Sequence, residues 1–517
     1  MSLKHDLLSR GYFPDKVPPT FTTELFGDCI ETTNSPLPDQ FSIGKVRELE
    51  HYELGRAGQL RRRLSIPNPI SYYRLACEME SAWTDIEQQL DRTSLSLSRP
   101  IAGSDDDRAL VPLLDFGSLP ENRPTKRDAG RVLLKTDIAN FYPSIYTHCI
   151  SWALHGKAFA KANRRNEGLL GNRIDKLVQD SQYGQTKGIP VGPDTSLVIA
   201  ELLLAPVDEA LMNDHPEVVG FRHMDDYEIA CQSRPHAEKV LASLQTHASE
   251  YELQLNPFKT DIIDLPTPMM DEWTGTLSAF EFRDTAAEQK RDLLNYFDAT
   301  FRLSRKFPDQ AVTAFALRRL ARQADLHLDN WAIQEALTIQ AAVGEPGALA
   351  HALEVLLTNR DRGAELTGDL ITKALTELVL EHAPLGHHSE VAWSIWAAMA
   401  MGYHLGTEAT SAISKVDNSI VALLALDARN QNALNSSLDT SIWEAHMTAD
   451  ELHGPHWLLS YEGRVKSWLP STGGGDHVGA DSAFHFLRQN GVFFYDEVDP
   501  DEALEALQGF LRRRSGY

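Results

Sequence analysis

The sequence predicts an α+β fold, a small antiparallel sheet with helices, followed by an all-α region. Three observations lead there. Arg131-Val132-Leu133-Leu134-Lys135 is a short apolar run ending at Asp137, as a buried strand would. Val218 to Cys231 reads as two strands folding back at Met224-Asp225. Beyond about Asp292 the apolar spacing becomes helical, with segments at 311–323, 331–343, 347–357 and 370–381 joined by short polar turns. Paired helices stacked as a solenoid account for that last texture.

From the start of the chain, Pro14, Pro18, Pro19, Pro36 and Pro38 read as an extended arm over residues 1–50. His51 to Arg63 reads as a polar helix, and Ser65 to Ile70, with two prolines, as a helix break. Ser71 to Leu90 is helical, with Leu75, Met79, Trp83 and Ile86 at 3–4 spacing. Strand 131–137 comes next, then a helix over 144–157. Thr195 to Leu211 is an apolar helix behind a Gly-Pro turn, with Asp194 as its N-cap. His236 to Tyr251 is amphipathic, with Ala237, Val240, Leu241 and Leu244 on one face. A strand at 261–263 completes the sheet. Residues 51–285 and 286–517 are then two further domains, in keeping with a 517-residue chain.

Composition bounds the function. No apolar run is long enough to span a membrane, and Met1 to Asp6 opens without a secretory stretch. The four cysteines are scattered with no Cys-x-x-Cys pair, which fits a reducing cytoplasm and argues against structural zinc. A net charge of −24 runs against a nucleic-acid binder, unless the basic residues near Arg61 and Lys126 line a local groove. Ser471 to Asp476 lacks the Lys-Ser/Thr of a phosphate loop. The C-terminal histidines, His387-His388 among them, show no ligand spacing. The aromatics Trp457, Trp468, Phe484, Phe486, Phe493 and Phe494 read as core or as a single-strand stacking track.

Asp137, Asp225 and Asp226 are the candidate chemistry. Nucleotidyl transfer clamps attacking and leaving oxygens between two metals about 4 Å apart. Carboxylates on neighbouring strands, about 4.8 Å apart, can hold such a pair. Each feature alone is commonly a solvated turn; the order and flanks carry the reading.

Those flanks resemble the palm of reverse transcriptases. Asp137 to Ile145 looks like the first palm motif, and Gly188 to Ser196 like the second. His223 to Asp226 resembles the Tyr-x-Asp-Asp box, and Leu255 to Thr260 the later Asn-x-x-Lys-Thr motif. The likeness covers roughly residues 55–265. Gly11-Tyr12-Phe13-Pro14, Ser65 to Pro69, Tyr142 to His148, Trp152 to Lys157 and Gly184 to Pro193 are similar to the bacterial abortive-infection and unknown-group enzymes, which act in antiphage defence. Val191 and Leu197 depart from other branches but fit this one; His223 replaces the box tyrosine.

The resemblance implies fingers and an antiparallel palm, followed by a HEAT-like helical repeat domain. It implies an RNA-directed DNA polymerase using dNTPs and Mg²⁺, with Mn²⁺ as a substitute. The template would be a noncoding RNA or absent, and DNA the product. Asp137, Asp225, Asp226 and the Ile138 carbonyl would hold the metals. Tyr142 would exclude a 2′-hydroxyl, or else be a packed core tyrosine. Gln185 and Pro190 would line the template or nucleotide side. Lys259, Arg61 and Arg63 would meet triphosphate, or else be solvated basic residues. Some members prime on their own tyrosine; Tyr517 and Tyr12 are the candidates. A homo-oligomer without membrane contact is expected. The alternatives are a catalytically quiet scaffold binding a phage or host protein through its helices, and an RNA-dependent RNA polymerase.

Overall fold

The computed structural model describes residues 2–33, 35–58, 61–127 and 130–512. Eight strands occur among them. β1 (Glu50–Leu54) and β2 (Arg62–Ile66) form one hairpin, and β3 (Pro100–Ala102) and β4 (Leu110–Pro112) a second. β5 (Val132–Asp137), β6 (Val219–His223), β7 (Asp226–Cys231) and β8 (Asp261–Asp264) make an antiparallel sheet in the order β6-β7-β5-β8.

Period-two alternation divides that sheet. Leu134 opposes Ile229, Thr136 opposes Tyr227 and Val132 opposes Cys231, all buried. The Tyr227 hydroxyl reaches Asp208 in the helix Asp194–Asp214, so this face is the one the helices cover. On the other face Lys135 opposes Glu228 and Asp137 opposes Asp226. Near the Asp137 end, the acids and Lys135 thus share one surface, and the helix-covered face is mostly apolar, with the buried Arg222 paired with Tyr227.

The stretch read as a polar helix over 51–63 is instead the β1–β2 hairpin. Tyr52, Leu64 and Ile66 alternate inward, and the positive φ of Gly58, 83°, turns the chain between the strands. Tyr52 packs beside His388, which opens the helix His388–Met401. The arm is not extended either. It holds the helices Leu3–Arg10 and Glu24–Thr32, whose Leu7, Leu8, Phe26 and Ile30 are buried. The Ser71–Leu90 helix divides at Ala82 into Pro69–Ser81 and Trp83–Leu90. The expected 144–157 helix starts only at Cys149 and ends at Gly156, φ 81°. Asp194 is the first residue of its helix rather than its cap. Its carboxylate leaves the helix to hold Arg108 at 2.7 Å and the Leu110 N–H at 3.0 Å.

From Ala286 onward the described residues are mostly helical, with the longest non-helical segment between Gln489 and Ala503. This region does not hang free. The Thr22 N–H donates to the Phe494 carbonyl, and the Asp496 N–H to Thr20. Phe494 stacks on Phe13 and meets Phe26 and Trp457 edge-on. Trp457, Phe484 and Phe494 are fully buried, which removes them from any stacking track. The helices thus bracket the β1–β2 hairpin and return to the arm.

Candidate active site

Asp137 ends β5 and Asp226 begins β7, directly opposite it in the register. Asp225 occupies the turn between β6 and β7, and its carbonyl accepts from the Ile138 N–H at 3.2 Å. Met224 takes φ 54° to make that turn, which a non-glycine residue adopts only when its surroundings impose it.

The imposing group lies beneath. Arg222 is fully buried, with both terminal nitrogens on Glu201 at 2.7 and 2.9 Å and Nε on Asp208 at 2.9 Å. Nη1 also donates to the Met224 carbonyl at 2.8 Å, and the Met224 N–H donates to Ser98 Oγ at 2.6 Å. Ser96 and Ser98 complete the Glu201 carboxylate. A buried charge set therefore fixes both backbone polar groups of the residue before Asp225.

The carboxylates are electrostatically crowded. Burial, then Asp226 and Asp137, push Asp225 up to about 6. Burial also raises Asp226, against the pull of Lys259. Asp226 opens to solvent, though most of its surroundings are protein. Asp137 is 3% exposed. Its Oδ2 accepts from the Lys259 ammonium, while its Oδ1 is buried without a hydrogen-bond partner among the described residues. The three carboxylates feel one another's charge, and the unsatisfied buried oxygen of Asp137 fits the oxygen-only donor preference of a hard divalent cation. Asp137, Asp225 and Asp226, with the Ile138 backbone beside them, are the residues present to hold it.

The second motif is tied to the first by its backbone. The Gly188 N–H donates to Ile145 at 2.7 Å and the Ile189 N–H to Tyr142 at 3.1 Å. Pro190 is buried behind this contact. Gly192 has φ 132°, and a Cβ there would lie 2.5 Å from Pro14. The Gly11–Pro14 segment thus supports the Gly-Pro turn, with the Asp194 N–H on the Gly11 carbonyl at 2.8 Å. Gln185 and Arg63 line one cleft of about 340 Å³, together with His51, Gln182 and Lys187.

Several expected residues stand elsewhere. Arg61 is bound to Glu390 and Ser389 of the helical region. Tyr12 is no accessible nucleophile. It is fully buried, stacked 4.3 Å from Tyr72, and donates to the Pro67 carbonyl. Burial raises its pKa well above 10. Tyr517 lies outside the described residues. His223 turns from the aspartates to donate through Nε2 to Leu114 at 3.1 Å, against the edge of Phe116. Burial lowers its pKa, against the Leu114 hydrogen bond that raises it.

Sequence reasoning missed two groups. Arg56, at the hairpin tip, has its pKa lowered by burial and by Arg62, against the opposing charge of Asp225. It was hidden because the segment read as a helix. Glu228 faces the aspartate side and gathers Arg123, Arg127 and Lys135. Burial would raise its carboxyl, but these cations hold it below the usual range. The only signal was its period-two relation to Asp226.

The arrangement defines a class: the palm of a nucleotide polymerase. Residues 67–286 match the family model described as reverse transcriptase (RNA-dependent DNA polymerase). This segment is thus similar to a reverse transcriptase domain, and such domains generally use divalent metal ions. No curated protein matches the sequence. Among solved structures, apo telomerase from Candida tropicalis is similar at 10% identity and TM-score 0.34, over 72% of this chain and 66% of that one. Telomerase from the same organism, in complex with the TWJ fragment of telomeric RNA, matches at 12% identity and TM-score 0.29, over 65% and 62%. This chain thus spans just under two thirds of their length.

Proposed function

We propose that the protein is an antiphage-defence reverse transcriptase that polymerises dNTPs by two-metal nucleotidyl transfer. The convergence of Asp137, Asp225 and Asp226 at one end of the two central strands, with Asp137 Oδ1 unsatisfied, carries the nucleotidyl-transfer reading; the defence role rests on the sequence resemblance. Magnesium, or manganese in its place, would polarise the reacting oxygens and take up charge on the triphosphate. Asp137, Asp225, Asp226 and the Ile138 carbonyl would hold the ions. Lys259 leaves Asp137 for a triphosphate oxygen. Arg56 stands in the field of Asp225 and suits triphosphate contact better than Arg61, which Glu390 holds. Arg63 and Gln185 face the template-side cleft, with Pro190 shaping the loop behind them. Tyr142 would exclude a 2′-hydroxyl, although its side chain packs against the core.

The template is a noncoding RNA, or synthesis is untemplated, and DNA is the product. Priming on a protein tyrosine is part of the proposal, with Tyr517 as its remaining candidate. The reading includes a cytoplasmic homo-oligomer with no membrane contact; no helix of the described residues is long and apolar enough to cross one. It also takes residues 1–50 as an arm, 51–285 as fingers and palm, and 286–517 as a HEAT-like repeat domain.

Purified protein incubated with labelled dNTPs and Mg²⁺ should incorporate label, resolved on a gel. No incorporation with any template, co-purified RNA or metal would leave the scaffold reading. Equal use of rNTPs by the wild type would favour an RNA polymerase. Mass spectrometry of the protein from cells would reveal attached DNA and its tyrosine.

A further inference from the structure

A second set of metal-ligating side chains sits at the base of the hairpin whose tip carries Asp225 and Asp226. His215 follows the helix Asp194–Asp214, and Glu217 lies two residues on, just before β6. His236 lies in the first turn of the helix Arg234–Glu250, just after β7. One ligand atom from each falls within 4.8 Å of the others. His236 Nε2 is 2.8 Å from Glu217 Oε1, and His215 Nδ1 is 3.9 Å from the same oxygen. The two imidazoles are inclined at 46° with centroids 5.9 Å apart, so their edges converge rather than stack.

We propose that His215, Glu217 and His236 bind a divalent transition metal of the zinc class, with one coordination position open to water. Two imidazoles and a carboxylate are a donor set such ions favour over magnesium. The surroundings pre-orient the ligands. His215 Nε2 lies 2.9 Å from Ser243 Oγ, on the face of the helix that carries His236. When that nitrogen holds the ring proton and donates it to Ser243, the Nδ1 lone pair faces Glu217, the outer-shell arrangement typical of metal-bound histidines. The Val218 N–H closes a turn onto the His215 carbonyl at 3.0 Å, and Ser233 caps the His236 turn. Both imidazoles are largely covered, with 13% and 17% of their side chains exposed, whereas Glu217 is 54% exposed and free to swing onto an ion. The 3.4 Å contact from the Gln232 N–H to His236 Nδ1 is long. A metal on Nε2 would move the ring proton to Nδ1 and end it. An ion here joins the entry to β6 with the exit from β7 and so closes the hairpin that presents Asp225 and Asp226.

The test uses the full chain carrying Asp225→Asn/Asp226→Asn, which weakens metal binding at the tip and makes the outcome independent of the polymerase reading. Chelator-treated protein is titrated with Co²⁺ and followed by visible absorption, then challenged with Zn²⁺. A saturable cobalt band displaced by zinc is expected, lost in His215→Ala/His236→Ala and weakened about ten- to a hundredfold by Ser243→Ala. Should the double-histidine variant fail to fold by circular dichroism, Glu217→Gln on the exposed turn is read in the same way, with at least tenfold weaker binding expected. No cobalt band in the parent, or one of unchanged affinity in these variants, overturns the site.

Discussion

Arg222→Met removes the cation beneath the Asp225 turn and leaves Glu201 and Asp208 facing each other out of water. Breaking a buried pair from one side costs about 3–5 kcal/mol, because the stranded carboxylates lose their counter-charge. Loss of the hydrogen bond to the Met224 carbonyl adds about 1 kcal/mol. If the chain unfolds as one unit, its size implies an unfolding entropy of about 1 kcal/mol/K, so the midpoint should fall by about 4–5 °C. Calorimetry or thermal circular dichroism reads this directly. Arg222→Met/Glu201→Gln/Asp208→Asn, which neutralises the whole set, should recover most of the loss. Incorporation should fall in the single variant even below its midpoint, because Met224 no longer has its carbonyl held. A shift under 1 °C, or a triple variant no better than the single, would refute the claim that this charge set holds the turn.

Other perturbations follow from the same geometry. Tyr142→Ala should raise ribonucleotide use relative to deoxynucleotide, read by competing the two in one incorporation assay; an unchanged ratio makes Tyr142 a packing residue. Gly192→Ala should cost about 1–3 kcal/mol, since φ 132° strains any side chain and its Cβ meets Pro14; a neutral change in thermal stability contradicts the contact. Glu462 is buried, its Oε1 accepting from the Phe494 N–H at 2.7 Å, and burial pushes its pKa up to about 8. The fold keeps a proton that the unfolded chain releases above about 4.5. That stability is complete below the unfolded value and is lost as pH rises through 8, at no more than about 1.4 kcal/mol per pH unit. Denaturant titrations from pH 5 to 9 should show this slope in the wild type and a flatter one in Glu462→Gln; parallel profiles would exclude Glu462 as its source.

The palm was legible because its chemistry is local. A strand ending at Asp137, a hairpin turning at Asp225 and a helix after Pro193 each leave a short pattern in the chain. The β1–β2 hairpin was not legible, since its inward residues are interrupted by charges and its partner is the distant helix His388–Met401. The arm misled through its prolines; Phe494 packs on its Phe13 and Phe26, and its Tyr12 donates to Pro67, contacts far along the chain. Arg222 sits where strand alternation expects an apolar side chain, and Glu201 on a buried face of the apolar helix Asp194–Asp214. A buried ion set shows in a sequence only when both partners are already known to meet. The His215–Glu217–His236 set is divided by two strands, so no short spacing announces it.

The central claim is that Asp137, Asp225 and Asp226 together perform nucleotidyl transfer. The most direct measurement is single-turnover incorporation of labelled dNTP by the wild type and by Asp137→Asn, Asp225→Asn and Asp226→Asn, each shown to be folded, across a Mg²⁺ titration. Metal-dependent incorporation by the wild type, falling at least about a thousandfold in every variant, is the predicted result. Any one variant within tenfold of the wild type would contradict the account.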